Sequence, residues 1–280
     1  MNKYYKTGNF IFSHSLPFDT ADEEPFSLFK TDEKNASYNA HFSFCDALRE
    51  EFSDPVFVSD RLIADKTNSG ITCFYINRDN KEIFAAREIS KADRNNSKIF
   101  IKENYRDILW QRVIFSVMGL EEAAAINNAL ILHASFINVK GEAVLFTGDS
   151  GIGKSTQALL WEKHRNAEII NEDKALIFIK DKKAFAAGLP FSGSSKTCKN
   201  KCLPLKAVIS LSQAPENSVN VLSGTEKFLK IFKNIYQIPY DSFILGKQLD
   251  TAKEISEKTK VLSLACTPDK TAIEITEKYL

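Results

Sequence analysis

The most informative segment of the sequence is glycine-rich: Gly148-Asp149-Ser150-Gly151-Ile152-Gly153-Lys154-Ser155. It fits the pattern G-x-x-x-x-G-K-[ST], in which a loop between a strand and a helix wraps around phosphate oxygens. Glycine lets the backbone turn so that successive N–H groups point at one anion, and the next helix adds its positive end. The apolar run Ala143–Phe146 precedes the stretch, and a helix-forming run opens at Ser155. The order strand, glycine loop, helix predicts a site for the phosphates of a nucleotide.

Residues of this loop have distinct expected roles. Lys154 supplies a positive charge for the β- and γ-phosphate oxygens, and the Ser155 hydroxyl is suited to Mg²⁺. A glycine turn without a ligand is the alternative, which the flanking strand and helix disfavour. The residues expected to bind the nucleotide are Gly148, Asp149, Ser150, Gly151, Ile152, Gly153, Lys154, Ser155 and Thr156.

A phosphate site of this kind also needs a carboxylate at the end of a neighbouring strand, to hold Mg²⁺ or to orient the attacking group. The predicted strand Lys206–Leu211 ends in Ser212-Gln213 and offers none. Ile169–Asn171, by contrast, runs directly into Glu172-Asp173. We expect this short strand to lie beside the glycine-loop strand, which makes the two acids candidate base and metal ligands. Solvated surface acids are the alternative.

Around the loop, the hydrophobic pattern alternates between strands and helices, which is typical of an α/β fold. A Ser223/Glu226 capping box opens the fourth predicted helix, and Thr267 with Pro268 opens the last. A tight turn at Lys140-Gly141 is predicted to join the strands at 132–139 and 143–146. Helices are predicted at 105–118, 121–130, 155–163, 223–235, 241–257 and 268–279, and strands at 132–139, 143–146, 168–170, 175–180, 206–211 and 261–265.

The first hundred residues have a different pattern, with short aromatic or β-branched runs between polar turns. A mixed or antiparallel sheet is the expected result, with strands at 9–13, 41–44, 55–58, 70–76, 82–87 and 98–101. The change of period at Tyr105 predicts two domains: a strand-rich N-terminal domain at 1–104 and a nucleotide-binding domain at 105–280.

Composition excludes several classes of protein. With 37 Lys+Arg against 36 Asp+Glu, the net charge is +1, so bulk charge gives no support to nucleic-acid binding. No apolar window is long enough for a membrane span, and the start of the chain lacks the apolar run of a secretory signal. Five scattered cysteines favour a reducing compartment, and Cys198 and Cys202 lack the further nearby ligands of a zinc site. These features predict a cytoplasmic protein without a membrane partner.

The residues around the loop resemble a known family. Leu132-His133-Ala134-Ser135, a hairpin, Leu145-Phe146-Thr147 followed by the glycine loop, and then the acidic pair, are similar to the HPr kinase/phosphorylase family. That family belongs to the P-loop kinases related to ATP-dependent phosphoenolpyruvate carboxykinases. The similarity covers residues 130 to about 175, and more loosely the end of the chain. It implies phosphoryl transfer from ATP, with Mg²⁺, to a hydroxyl group.

The resemblance also implies roles for individual residues. Lys154 and Ser155 would carry the family's phosphate and Mg²⁺ functions, and His133 matches a histidine placed near the phosphates. The family's Asp-Asp pair falls on Glu172-Asp173, with one residue inserted before it, so that Asp173 is the preferred match for the base or metal ligand. For His133, a core histidine without a catalytic role is the alternative.

Two features separate this chain from that family. The downstream region that carries glycine, arginine and asparagine close together has no match, and Arg165 is the only arginine after Lys154. We expect Lys174 or Lys196 to supply the missing cation, as a less directional charge than arginine; otherwise it comes from N-terminal arginines such as Arg106 and Arg112, or from a partner. The segment 188–196 is either a plain connection or a lid over the nucleotide.

Two classes of function remain open. The first is an ATP-dependent kinase that phosphorylates a hydroxyl of a protein, a peptide or a small molecule. The second is a non-catalytic nucleotide-binding switch whose N-terminal sheet recognises a partner. A carboxykinase acting on a small carboxylic acid is disfavoured, because the arginines that bind such substrates are absent. The sequence does not identify the acceptor, and it leaves assembly into a homo-oligomer open.

Overall fold

The computed structural model describes residues 2–21, 23–193 and 197–280. Contacts between residues divide the chain into two compact units, Met1–Asn127 with Ile238–Leu245, and Asn128–Gln237 with Gly246–Leu280. The predicted boundary at residue 104 falls inside the first unit. The assignment of domains to 1–104 and 105–280 stays a prediction.

The first unit contains a mixed sheet of eight strands within the described residues. All six predicted strands are present, although most of their ends differ by one to three residues. The order across the sheet is β1-β2-β3-β8-β7-β6-β5-β4, with β3 parallel to both β2 and β8 and the remaining pairs antiparallel. The strands are β1 (Asn2–Thr7), β2 (Phe10–Ser15), β3 (Tyr38–Cys45), β4 (Pro55–Val58), β5 (Leu62–Lys66), β6 (Gly70–Ile76), β7 (Ile83–Ser90) and β8 (Asn96–Lys102).

Strands β1 and β5 were not predicted, because polar residues interrupt their apolar pattern. In β5, Asp65 is fully buried, and its carboxylate accepts hydrogen bonds from Arg49 and from the backbone N–H of Asp54. These hydrogen bonds offset burial and hold the pKa of Asp65 below its usual value. The partners of Asp65 lie outside β5, so only the tertiary structure reveals this strand.

The helix predicted at 105–118 is wrong as a single helix. A 3₁₀ helix covers Glu103–Ile108, and α1 covers Gln111–Val117. Extended backbone at Trp110 separates the two helices. The next helix, α2 (Leu120–Ile126), ends before the predicted 130, since Asn128 has a positive φ of 54° and strand β9 begins at Ala129. A further helix, α5 (Ser242–Lys258), begins within Ile238–Leu245, where the Asp241 carboxylate caps it by accepting from the N–H groups of Phe243 and Ile244.

The second unit is built on a second mixed sheet, whose described order is β10-β9-β12-β13-β14-β16-β15, with β11 paired to β9. Together the two mixed sheets and their helices confirm the predicted α/β class. The strands are β9 (Ala129–Val139), β10 (Glu142–Thr147), β11 (Glu168–Asn171), β12 (Lys174–Lys180), β13 (Lys183–Ala187), β14 (Cys202–Gln213), β15 (Ser218–Val221) and β16 (Lys260–Cys266).

The strand that leads into the glycine loop lies centrally in this sheet. β10 pairs antiparallel with β9 through the predicted hairpin, whose turn residues Lys140 and Gly141 have positive φ values of 53° and 90°. Two such residues suit the tight turn that matches the twist of paired strands. On its other side, β10 pairs in parallel with β14, which in turn pairs in parallel with β16. The ends of β10, β14 and β16 therefore lie at one edge of the sheet.

One predicted neighbour relationship is wrong. β11, which ends at Asn171, pairs antiparallel with β9 and not with β10. Strand β9 pairs along one edge with β10 and along the other with β11, and residues 136–138 take part in both pairings. Its first residues, 129–133, pair with β12. The acidic pair is thus separated from the glycine-loop strand by β9.

Helices complete the second unit: α3 (Lys154–Arg165), α4 (Gly224–Phe232), α6 (Lys270–Glu277) and the later part of α5. The predicted cap of the last helix is wrong, since α6 starts after Asp269, whose carboxylate accepts from the Thr271 N–H at 2.8 Å. Ser223 does precede α4, but its side chain makes no capping hydrogen bond. No helix in the described part of the chain is long and apolar enough to span a membrane.

Candidate functional site

The glycine loop has the backbone conformation that its sequence requires. Gly148, Gly151 and Gly153 have positive φ values of 138°, 76° and 113°, in the region that residues with a Cβ rarely adopt. A Cβ on Gly151 or Gly153 would have no atom within 4 Å. Backbone conformation, rather than crowding, therefore explains these two glycines.

Helix α3 begins directly after the loop, with Lys154 as its first residue. Gly153 is the capping residue, and no side chain caps the N–H groups of the first turn. The first N–H groups of a helix have no partner within the helix, and together with the helix dipole they favour an anion. Ser155 and Thr156, in this first turn, are exposed.

Lys154 is buried rather than exposed to solvent. Its side chain is packed within the loop, so that the residue is only 8% exposed. Nζ donates to the backbone oxygens of Gly148 and Asp149, each at 3.0 Å. Burial lowers the pKa of Lys154, while the negative charges of Asp173 and Asp149 oppose that effect. Lys154 therefore holds the loop closed around its own ammonium group.

Asn171 shapes the turn that carries the acidic pair. Its side chain is fully buried at the end of β11, and Oδ1 accepts from the N–H groups of Asp173 at 3.0 Å and Lys174 at 2.9 Å. Its Nδ2 donates to the backbone oxygens of Leu189 and Phe191. Asn171 therefore fixes both the acidic turn and the start of the segment 188–196 relative to each other.

Asp173 lies between two cationic or titratable partners. Oδ1 is 3.3 Å from His133 Nε2, and Oδ2 accepts from Lys174 Nζ at 3.0 Å. The hydrogen bond with His133 is the main cause that holds the pKa of Asp173 well below its usual value; burial opposes it, and the positive charge of Lys174 adds to it. Asp173 is therefore ionised throughout the neutral range and suited to accept hydrogen bonds or to bind a cation.

Lys174, one of the two predicted cations, packs against an aromatic ring beside Asp173. Its Nζ lies 4.5 Å from the centre of the Tyr236 ring, a distance typical of a cation–π contact. Burial alone would lower the pKa of Lys174, but Tyr236 and Asp173 outweigh burial and raise it. Lys196, the other candidate, lies outside the described residues.

Strand register explains why His133, Asp173 and Lys174 come together. Lys174 of β12 pairs with His133 of β9, and the Ala134 N–H donates to the backbone oxygen of Asp173 at 3.0 Å. On the other side of β9, the Thr147 hydroxyl donates to the His133 backbone oxygen at 2.8 Å. Since Thr147 directly precedes Gly148, β9 connects the acidic turn to the start of the glycine loop.

Glu172 and Ser155 were the other predicted metal ligands. Glu172 is half-buried, and its Oε1 accepts from the Thr197 hydroxyl at 3.2 Å. Among the described residues, no group of three or more His, Cys, Asp or Glu side chains could hold a metal ion by itself. An ion such as Mg²⁺, which keeps several waters and takes one or two protein oxygens together with phosphate oxygens, suits this sparse set of ligands.

The other residues singled out from the sequence are the arginines, Asp149 of the glycine loop, and the segment 188–196. Arg165 ends α3, and both its Nε and a terminal nitrogen bind the Glu277 carboxylate at 2.6 Å. Arg106 and Arg112 belong to the first unit. Asp149 is exposed and forms an ion pair of 3.1 Å with the exposed Lys233, which follows α4. Gly193 approaches the acidic turn, since a Cβ placed on it would lie 3.2 Å from Asp173 Oδ1.

Sequence reasoning missed four residues at this edge of the sheet: Asn171, Lys233, Tyr236 and Gln157. Asn171 had a recognisable signal, because an asparagine directly before two acids is a common turn former. Lys233 and Tyr236 are more than seventy positions from the loop, and nothing local marks them. Gln157 occupies an ordinary helical position in sequence, and only its surroundings distinguish it.

Comparison with known protein families shows the family of this chain. The family described as "SynChlorMet cassette protein ScmC" matches residues 100–272, which is more than half of the sequence. The chain belongs to the ScmC family. None of the curated proteins compared with it matches. The family's description names no reaction, so membership leaves the chemistry of the site to be inferred from its residues.

A solved structure gives a distant likeness. The HPr(Ser) kinase/phosphatase from Coxiella burnetii aligns with 53% of this ScmC-family chain and with 95% of its own, at 12% sequence identity and a TM-score of 0.30. A superposition at this level does not constrain the positions of individual side chains.

Proposed function

We propose that this ScmC-family protein is an ATP-dependent kinase, similar to HPr kinase, that transfers the γ-phosphate to a hydroxyl of a protein, a peptide or a small molecule. The observation that carries the proposal is the glycine loop. Its glycines have positive φ values, and it leads into α3, whose first turn lacks a side-chain cap and begins with Lys154. This is the arrangement by which backbone N–H groups and one lysine bind a polyphosphate.

In the proposed reaction, the backbone N–H groups from Gly148 to Thr156 bind the phosphates. Lys154 exchanges the backbone oxygens of Gly148 and Asp149 for phosphate oxygens, so its charge acts where negative charge accumulates. The ionised Asp173 accepts a hydrogen bond from the acceptor hydroxyl and orients it for in-line attack. His133 and Lys174 hold Asp173 in place from both of its oxygens.

Ser155, Asp173 and Glu172 are the residues that we propose to hold Mg²⁺, through one hydroxyl and two carboxylates. When bound, the ion would neutralise charge on the β- and γ-phosphates. Lys174 is proposed as the further cation that stabilises the transferring phosphoryl group, since Arg165 is engaged by Glu277.

A second candidate is a nucleotide-binding switch without catalysis. It is favoured by the engagement of both Asp173 oxygens by His133 and Lys174, and by the absence of any arginine other than Arg165 from 128 to 280. An ATP-binding site without a free base or arginine can still change the state of a partner-binding surface.

Single-turnover incubation separates the two candidates. The full chain, in excess over γ-labelled ATP with Mg²⁺, is mixed with panels of hydroxyl-bearing proteins, peptides and small molecules. A kinase transfers label to one acceptor class, and the Asp173→Asn variant binds ATP without transfer. Stable ATP binding with no transfer to any acceptor and no release of phosphate would instead support the switch.

A further inference from the structure

A cavity lies between the glycine loop and the ends of strands β14 and β16. Its volume is about 410 Å³, within the range of roughly 300–1,000 Å³ that small-molecule sites occupy. Four of its lining residues belong to the loop and the first turn of α3: Gly151, Ile152, Gly153 and Thr156. The opposite wall is formed where β14 and β16 end, by Gln213, Ala214, Cys266, Thr267 and Pro268. The cavity is thus continuous with the proposed phosphate site.

Gln157 also lines this cavity, and one of its polar atoms has no partner. The residue is only 2% exposed. Its Nε2 donates to Cys266 Sγ at 3.3 Å, whereas Oε1 is buried and has no hydrogen-bond partner in the described part of the chain. A buried amide oxygen without a donor is costly, and such groups are rare in folded proteins. The side chain is therefore suited to accept a hydrogen bond from a ligand.

Both kinds of surface that a nucleobase needs are present. Ile152, Ala214 and Pro268 offer apolar contact to the faces of a flat ring, and the Gln157 amide offers an acceptor to its edge. We propose that this cavity takes the base of the nucleotide, and that Gln157 Oε1 accepts from an exocyclic amino group, so that the site selects adenine over a 6-oxopurine. This inference rests on the proposed function, since it assumes that the triphosphate binds the adjoining loop.

Three ligands separate the base site from the phosphate site. ATP carries the 6-amino group, ITP replaces it by an oxygen, and inorganic tripolyphosphate has no base. Calorimetry on the full chain should show ATP binding about tenfold or more tightly than ITP, the scale of one hydrogen bond to a buried group. Tripolyphosphate should bind more weakly than ATP, and Lys154→Ala should weaken all three.

The variant Gln157→Met removes the amide and keeps a side chain of similar length. We expect this variant to bind ATP and ITP with about equal affinity and to bind tripolyphosphate as tightly as the unmodified chain does. Gln237→Met is the matched control, because Gln237 is exposed and does not line the cavity, and its preference should equal that of the unmodified chain. Thermal unfolding of both variants checks that the fold is retained.

Cys266 provides a test without substitution. It is partly exposed and lines the cavity, so bound ATP should slow its alkylation by N-ethylmaleimide about tenfold or more, and tripolyphosphate should not. Cys202 is the internal control, because it is exposed at the other end of the twelve-residue strand β14 and should react equally with and without ATP. Peptide mapping by mass spectrometry measures both rates in one sample.

The outcomes distinguish the two levels of the proposal. If neither tripolyphosphate nor ATP binds, or if Lys154→Ala binds both as well as the unmodified chain, the proposed function fails. If tripolyphosphate and ATP bind through Lys154 but ATP and ITP bind equally, the base site is overturned while the phosphate site stands. Equal weakening of ATP and tripolyphosphate by Gln157→Met would place the effect on the loop and would also overturn the base site.

Discussion

His133 Nε2 lies 3.3 Å from Asp173 Oδ1, although the two residues are forty positions apart in the chain. The contact exists because β9 pairs with β12 in a register that sets His133 opposite Lys174, the neighbour of Asp173. The same strand pairs with β10 on its other side, directly before the glycine loop. Asp173 is therefore connected to the proposed phosphate site through β9 rather than through a strand adjacent to β10.

Asp173→Asn should bind ATP normally and lose phosphoryl transfer by roughly a hundredfold or more, the usual scale for a positioned acid–base group. The amide keeps the shape of the side chain but removes the negative charge that His133 and Lys174 contact. Rate constants from single turnovers and dissociation constants from calorimetry measure the two effects separately.

Glu172→Gln is the matched comparison, because it removes the adjacent charge from a side chain that contacts Thr197. We expect the smaller loss of activity in Glu172→Gln. If that variant is the severe one and Asp173→Asn is mild, the assignment of the two acids is reversed; full activity in both would favour the switch.

Lys154→Ala should weaken ATP binding by about a hundredfold or more, since it removes the charge-assisted hydrogen bonds expected to the phosphates. Stability should fall by about 1 kcal/mol, because the oxygens of Gly148 and Asp149 lose their donor. Lys163→Ala is the control, as an exposed lysine of the same helix. Equal ATP affinity in the two variants, measured by calorimetry, would contradict the nucleotide assignment.

Lys174→Met should lower turnover by tenfold or more while changing ATP affinity much less, because a cation that acts on the transition state affects the rate. Arg165→Gln serves as the comparison: it breaks the two contacts to Glu277 and should reduce stability without reducing turnover. Steady-state kinetics decide between these expectations. Unchanged turnover in Lys174→Met would direct attention to Lys196, to the arginines of the first unit, or to a second subunit.

Glu168 makes a pH-dependent contribution to stability. Its hydrogen bond from Lys201 is the main cause that lowers its pKa to about 2; burial opposes this, and Asn138 and Lys199 assist. A lowered pKa in the folded state stabilises the protein above the unfolded value of about 4.3, and the gain is lost as pH falls toward 2. Because Glu168 is partly exposed, screening reduces the contribution to about 1 kcal/mol.

Glu168→Gln should therefore lower the free energy of unfolding by about 1 kcal/mol at pH 7, and the difference from the unmodified chain should shrink below pH 4. Glu216→Gln, at an exposed glutamate, should show no such difference at either pH. Urea unfolding at pH 7 and at pH 3 measures both. A difference that persists undiminished at pH 3 would show that the ion pairs are not its cause.

Local sequence patterns were sufficient to locate many of the strands and turns of the second unit. The glycine loop, the hairpin at Lys140-Gly141 and the strand of Ile169 and Ile170 were located from sequence because turn chemistry and apolar runs act over a few neighbouring residues. Helix ends were less certain, since a cap depends on which side chain meets the first N–H groups. Asp269 caps α6, whereas the sequence pattern predicted Thr267.

Tertiary structure decided how these elements meet. The glycine-rich loop, the histidine and the two acids could be found from the sequence, because each is a local pattern of residue types. The sequence could not determine that β9 separates β11 from β10, because strand pairing depends on contacts between residues far apart in the chain. The burial of Lys154, the position of Lys174 at Tyr236 and the unpaired oxygen of Gln157 follow from such contacts, and only the folded chain brings their partners together.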